Sequence, residues 1–137
     1  MTSTVVYEGE LRTTCTHLLS SSAFETDAPP DNNGKGERFS PTDLLATSLA
    51  TCMVTIMGIK ARNMEIDIKG IKVEVEKIMK SEPRRVSGIN LTFHFPENLK
   101  QMGEKDRTIL KNAGLNCPVM HSIHPEIDVQ VNWGSWS

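Results

Sequence analysis

Three thiols are the side chains in this chain best suited to chemistry: Cys15, Cys52 and Cys117. Cys52 lies in the most apolar stretch, FSPTDLLATSLATCMVTIMGIKAR (Phe39 to Arg62), where no charged side chain occurs between Asp43 and Lys60. A thiol in that setting is either an inert core residue, since free cysteine packs as a small hydrophobe, or a nucleophile in an apolar pocket. Burial alone raises a thiol pKa and makes it unreactive, so reactivity at Cys52 calls for a nearby cation. Lowering a thiol from about 8.5 to about 6 takes roughly 3.4 kcal/mol. A guanidinium about 4 Å away, at an effective dielectric near 20, supplies about 4 kcal/mol. One arginine is enough. Arg38, beside the start of the apolar segment, and Arg12, close to the first turn, are the candidates by position.

Cys117 directly precedes Pro118, which places it near a helix N-terminus where the dipole favours a thiolate. Cys15 falls in a predicted strand with no helper nearby and reads as structural. Cys117, His121 and His124 have spacings of four and three. With Cys52 as a fourth ligand they would form a zinc site, but Pro125 interrupts the segment and no CxxC or HExxH pattern supports it. No metal or cofactor is therefore expected. His121 and His124 read as surface residues, and His17 and His94 as strand positions with no identified partner.

The elements that must hold these groups follow from periodicity. Two antiparallel strands are predicted from Thr4 to about Arg12 and from about Thr13 to Ala23, with Gly9 at the turn, and a loop from Thr26 to Glu37. Ser40 is a natural N-cap and Pro41 suits the first helical position, with Asp43 in the first turn. Leu45, Leu49, Cys52, Met53 and Ile56 then recur at helical spacing. They predict a central helix from Pro41 to Arg62, roughly 33 Å long. Gly70–Met79 and Val86–Phe95 alternate as a long hairpin across Ser81, Glu82 and Pro83. A helix is predicted from Asn98 to Ala113, ended by Gly114, then a short helical piece from Pro118 and a strand from Ile127 to Trp133. The order ββ-α-ββ-α-β predicts one α+β domain over residues 1–137.

A chain of 137 residues can bury a core without staples. The net charge of −2, with 15 basic and 17 acidic residues mixed along the chain, excludes a basic nucleic-acid surface. The N-terminus lacks the pattern of a signal peptide, and the apolar run 44–59 is shorter than a bilayer span and carries Thr47, Ser48, Thr51, Thr55 and Gly58. A cytoplasmic protein without membrane or nucleic-acid partners is expected. In a reducing compartment, a reversible catalytic cysteine pair fits better than a permanent strut.

The block SPTDLLATSLATC resembles the first motif of the OsmC/Ohr family (osmotically inducible and organic hydroperoxide resistance proteins), and NAGLNCPVMHSI followed by IDVQVNW resembles its second, a Cys-Pro-Val at the end of a late helix. The resemblance runs along nearly the whole chain. It implies an intertwined homodimer with antiparallel sheets wrapped around long central helices and sites at the subunit interface. It also implies a thiol-dependent peroxidase of the oxidative stress response. Cys52 would attack an organic hydroperoxide and become a sulfenic acid, Cys117 would resolve it as a disulfide, and a dithiol would reopen the bridge. Family members carry a glutamate after the motif proline that helps hold the catalytic arginine. This chain has Thr42 there and Asp43 next, so Asp43 joins Cys52, Cys117 and Arg38 in the implied site. The substitution also admits an alternative: a non-catalytic, small-molecule-binding or redox-sensing protein on the same fold.

Overall fold

β-branched and polar residues alternate from Ser3, and in the computed structural model, which describes residues 1–137, they form a three-stranded antiparallel meander. Its strands are β1 (Ser3–Gly9), β2 (Arg12–His17) and β3 (Ala23–Asp27). Gly9, Glu10 and Leu11 all take positive φ at the first turn, where the glycine does so without strain. The sequence expectation of two strands followed by a loop from Thr26 missed β3. Its residues Ala-Phe-Glu-Thr-Asp carry only weak alternation, and pairing with β2 decides their conformation.

The chain divides into two compact units, Met1–Leu45 and Ala46–Ser137. The first contains the meander and the entry to α1 (Pro41–Asn63). Its buried residues are all polar: Thr26, Asp27 and Ser40. Ser40 begins α1 as expected. Its Oγ accepts from Asp43 N at 3.0 Å, and its own N–H donates to Asp43 Oδ2 at 2.9 Å. That reciprocal pair is a capping box with aspartate in the usual glutamate role, and Pro41 occupies the first helical position.

The second unit holds the apolar core. Within α1, Ala46, Leu49, Ala50, Met53, Met57 and Ala61 are buried at helical spacing. The buried face is thus turned slightly from the predicted stripe: Leu45 is exposed, and Cys52 and Ile56 are only partly buried. On its opposite face Thr51, Thr55 and Ile59 are exposed. At 23 residues, α1 is long and apolar enough by length and composition alone to cross a bilayer, more than the 44–59 run suggests.

Strands β4 (Lys72–Lys80) and β5 (Arg85–His94) form the expected hairpin, and β6 (Asp128–Asn132) completes a second sheet in the order β4-β5-β6. β6 runs parallel to β5, so this sheet is mixed rather than wholly antiparallel. As the central strand, β5 contributes Val86, Ile89, Leu91 and Phe93 to the core. The single helix expected from Asn98 to Ala113 is two, α2 (Glu97–Lys100) and α3 (Glu104–Leu115), broken at Met102-Gly103. Gly114 does not end α3 but lies inside its last turn, buried. Its role is close packing: a Cβ there would sit 3.0 Å from Met57 Cγ and Sδ and 3.6 Å from Met53 O. Trp136 locks the C-terminus, stacked on Phe95 at 3.9 Å between centroids and donating from Nε1 to Leu99 O at 2.9 Å.

Candidate active site

Two elements bring the thiols together. Cys52 rides on α1 next to Met53, and Gly114 brings the end of α3 against Met53 and Met57. Three residues beyond Gly114, Cys117 caps α4 (Pro118–Ser122), with its Sγ accepting from Met120 N at 3.4 Å. Cys117 is fully buried, Cys52 half-buried, and the two side chains share a hydrogen bond. Both are free thiols.

Burial pushes the Cys117 thiol up, the largest cause, against the Met120 N–H, which pulls it down; the neighbouring Cys52 pushes it further up, while the Val119 N–H pulls it down. Cys117 is therefore held protonated. The sequence expectation of a helix dipole favouring a Cys117 thiolate is outweighed by desolvation.

The arginines lie in the first unit. Arg12 makes a two-pronged contact with Asp27, Nε to Oδ1 at 2.7 Å and Nη2 to Oδ2 at 2.8 Å, and a third to Glu37 Oε1 at 3.2 Å. The Asp27 hydrogen bond is the main reason the Arg12 pKa is raised, and the same bond holds the Asp27 carboxyl below its ordinary value against its burial. Glu37 N also donates to Asp27 Oδ2 at 3.2 Å. Arg38 is more exposed; its Nε donates to Glu25 Oε1 at 3.1 Å and its Nη1 to Glu37 O at 3.0 Å. Arg38 and Glu25 border an open apolar cavity of about 490 Å³ with Phe24, Phe39 and Leu44. Asp43 is engaged with Ser40 in the capping box.

Sequence reasoning named both arginines but missed the carboxylates that hold them, Asp27, Glu37 and Glu25. Arg12 stands directly opposite Asp27 in the β2–β3 register, so recognising β3 would have revealed that pair. His121 and His124 are exposed and His17 and His94 end strands, as expected, but the two strand histidines have partners. His17 Nδ1 pairs with Ser20 Oγ at 2.7 Å, and His94 Nε2 lies 3.4 Å from Glu74 Oε1. The zinc arrangement does not form: α4 ends at Ser122, His124 Nδ1 accepts from Glu126 N at 3.1 Å, and no three His, Cys, Asp or Glu side chains are grouped to hold a metal.

The sequence model of the family described as OsmC-like protein matches residues 34–132, which include both cysteines of the pair. A crystal structure from Psychrobacter arcticus, of a protein whose name assigns it provisionally to osmotic stress induction and the detoxification response, is 54% identical. The match covers 96% of this chain and 94% of that one, with a TM-score of 0.91. An organic hydroperoxide resistance protein OsmC from Legionella pneumophila shares the fold at 17% identity and a TM-score of 0.72, covering 96% of each chain. The organic hydroperoxide resistance protein OhrB of Bacillus subtilis does so at 19% identity and a TM-score of 0.63, covering 96% of this chain and 97% of that one. No curated protein matches the chain. The paired motifs around Cys52 and Cys117, the α+β architecture and these matches agree: the chain belongs to the OsmC/Ohr family of OsmC-like proteins.

Proposed function

We propose that this protein is a thiol-dependent peroxidase that reduces organic hydroperoxides, working in the cytoplasm as a homodimer with residues 1–137 as one domain. The observation that carries the reading is the hydrogen-bonded contact between the half-buried Cys52 and the fully buried Cys117. The Cys52 thiolate attacks the hydroperoxide; an S–O bond forms, the O–O bond breaks, and the alcohol leaves after taking a proton. Cys117 then attacks the Cys52 sulfur, an S–S bond forms, and the sulfenic oxygen leaves as water. A dithiol returns two electrons and restores both thiols. The apolar residues around Cys52 favour an organic hydroperoxide over hydrogen peroxide, and the names of the Legionella and Bacillus relatives point the same way.

The activating cation is assigned to Arg38, with Arg12 as the alternative, and Asp43 orders the helix entry beside it in sequence. The homodimer is supported by the first unit's lack of an apolar core, with Val5, Val6, Tyr7 and Phe24 exposed. It is also supported by the outward face of α1, whose Thr51 and Thr55 hydroxyls donate to the backbone oxygens of Ser48 and Thr51. Both hydroxyls are thereby satisfied within the helix, so covering this face leaves neither donor unpaired. Sedimentation at micromolar concentration checks the assembly.

Turnover of cumene hydroperoxide with a dithiol tests the activity. Cys52→Ser is expected to abolish it, and unchanged turnover in that variant rejects the reading. A second reading, a redox sensor that forms the bridge but seldom reopens it, is favoured by the full burial of Cys117. Stoichiometric thiol loss without sustained turnover selects it.

A further inference from the structure

We infer that the Cys52–Cys117 bridge is reopened by attack at the Cys52 sulfur, so that the passing mixed disulfide is carried by Cys52 and Cys117 is the leaving group. This rests on the proposed peroxidase reading for how the bridge arises, and on geometry for which sulfur is reached. An attacking thiolate approaches a disulfide along the S–S axis, from the side opposite the leaving sulfur. Cys117 has no exposed surface, whereas Cys52 is partly open. Approach to the Cys117 sulfur would require the α3–α4 junction to lift from α1, undoing the Gly114 contact with Met57 and Met53. Approach to the Cys52 sulfur requires no such opening.

Burial makes Cys117 the poorer leaving thiolate of the two, so access rather than leaving ability selects the Cys52 sulfur, and two N–H donors offset part of that disadvantage. When the S–S bond breaks, its electron pair goes to Cys117 Sγ, which already accepts from the N–H of Met120 at 3.4 Å and from that of Val119. Those N–H groups stabilise the departing thiolate until it takes a proton from solvent or from the second thiol of the reductant. Burial returns Cys117 to the neutral thiol, which slows its attack back on Cys52. The second thiol of the reductant then attacks its own sulfur in the mixed disulfide. Cys52 is expelled as a thiolate, and the reductant leaves as a cyclic disulfide, having given up two electrons. A monothiol has no second thiol to complete the exchange, so the mixed disulfide on Cys52 persists until another thiol arrives or Cys117 slowly closes the bridge again.

The experiment forms the bridge in two ways, with diamide and with one equivalent of cumene hydroperoxide, and opens it with excess sulfite. Sulfite leaves a sulfonate on the attacked sulfur and a free thiol on the other. Samples are acid-quenched at early times and mapped by peptide mass spectrometry, and cysteamine serves as a second probe. Sulfonate on Cys52 in about tenfold or greater excess over Cys117 is the expected result. Equal labelling, labelling mainly on Cys117, or a diamide bridge inert to sulfite overturns the inference. If diamide forms the bridge but the hydroperoxide does not, the peroxidase reading fails. The inference is then judged on the diamide-formed bridge alone.

Discussion

Gly114 is the residue whose change most directly separates packing from chemistry. A Cβ at this position would lie 3.0 Å from both Cγ and Sδ of Met57, itself fully buried. Carbon contacts are comfortable at about 3.5–4.0 Å, so Met57 must give by a few tenths of an ångström. In Gly114→Ala the far end of Met57 can yield, at about 0.5–1.5 kcal/mol for an off-rotamer side chain. Replacing glycine by alanine inside a helix returns about 1 kcal/mol, and the two nearly cancel. In Gly114→Val two further methyls meet α1, overpacking costs about 1–3 kcal/mol, and the end of α3 is pushed outward.

That displacement reaches Cys117 three residues on. Disulfides tolerate Cα separations of about 4.4–6.8 Å, and a misplacement near 1 Å can cost on the order of 100-fold in rate. Gly114→Val is therefore expected to slow bridge formation about 10- to 100-fold, while the first oxidation of Cys52 keeps its rate. Gly114→Ala should fall within about threefold of the parent. The assay mixes reduced protein with one equivalent of cumene hydroperoxide, traps the sulfenic acid with dimedone, and counts remaining thiols over time, with urea unfolding run in parallel. Bridge formation at the parent rate in a folded Gly114→Val would refute the idea that this helix contact positions Cys117.

Three other perturbations test the frame. Trp136→Ala should destabilise the protein by about 3–5 kcal/mol in urea unfolding, because it removes both the stack on Phe95 and the hydrogen bond to Leu99 O; a loss below about 1 kcal/mol would contradict that role. Ser40→Ala removes the acceptor for Asp43 N and should cost about 1 kcal/mol in thermal unfolding. The third concerns acid: Arg12 holds the folded Asp27 pKa below its unfolded value, so its stabilisation is present above the usual carboxylate range and is lost as pH falls through the depressed value. Hydrogen exchange of the first sheet should then show wild type better protected than Asp27→Asn near neutral pH and the two converging in acid; a difference that widens in acid has the wrong sign.

What the sequence made legible is what local chemistry decides. Ser40, Pro41 and Asp43 announce the start of α1 because a cap is satisfied within one turn. The β4–β5 hairpin is legible because its alternation is strong and its partner is adjacent in the chain. Strand β3 was hidden because its residues show little period, and only the β2 ladder makes them a strand. Gly114 was read as a helix stop because glycine commonly ends helices, whereas here its missing side chain admits Met57, a contact set by a helix distant in sequence. The parallel pairing of β6 has the same character, since direction is fixed by where α3 and α4 deliver the chain.

The site divides along the same line. Cys52 and Cys117 were identifiable as a pair through their motifs, but which of the two stays protonated depends on tertiary burial. Local sequence argued for a Cys117 thiolate, through Pro118 and a helix start. The structure argues for a thiol, because desolvation comes first among the causes that shift it and the α4 N–H contacts work against it without overcoming it. This inversion changes the chemistry expected of the pair. A protonated Cys117 is a poor first nucleophile, so the proposed oxidation falls to the more accessible Cys52. The same burial screens the bridge from Cys117's side and directs the reductant to Cys52. In the proposed reaction both half-reactions begin at one sulfur, in the stretch of α1 between Asp43 and Lys60 that carries no charge, and the apolar segment is then the part of the chain that meets substrate.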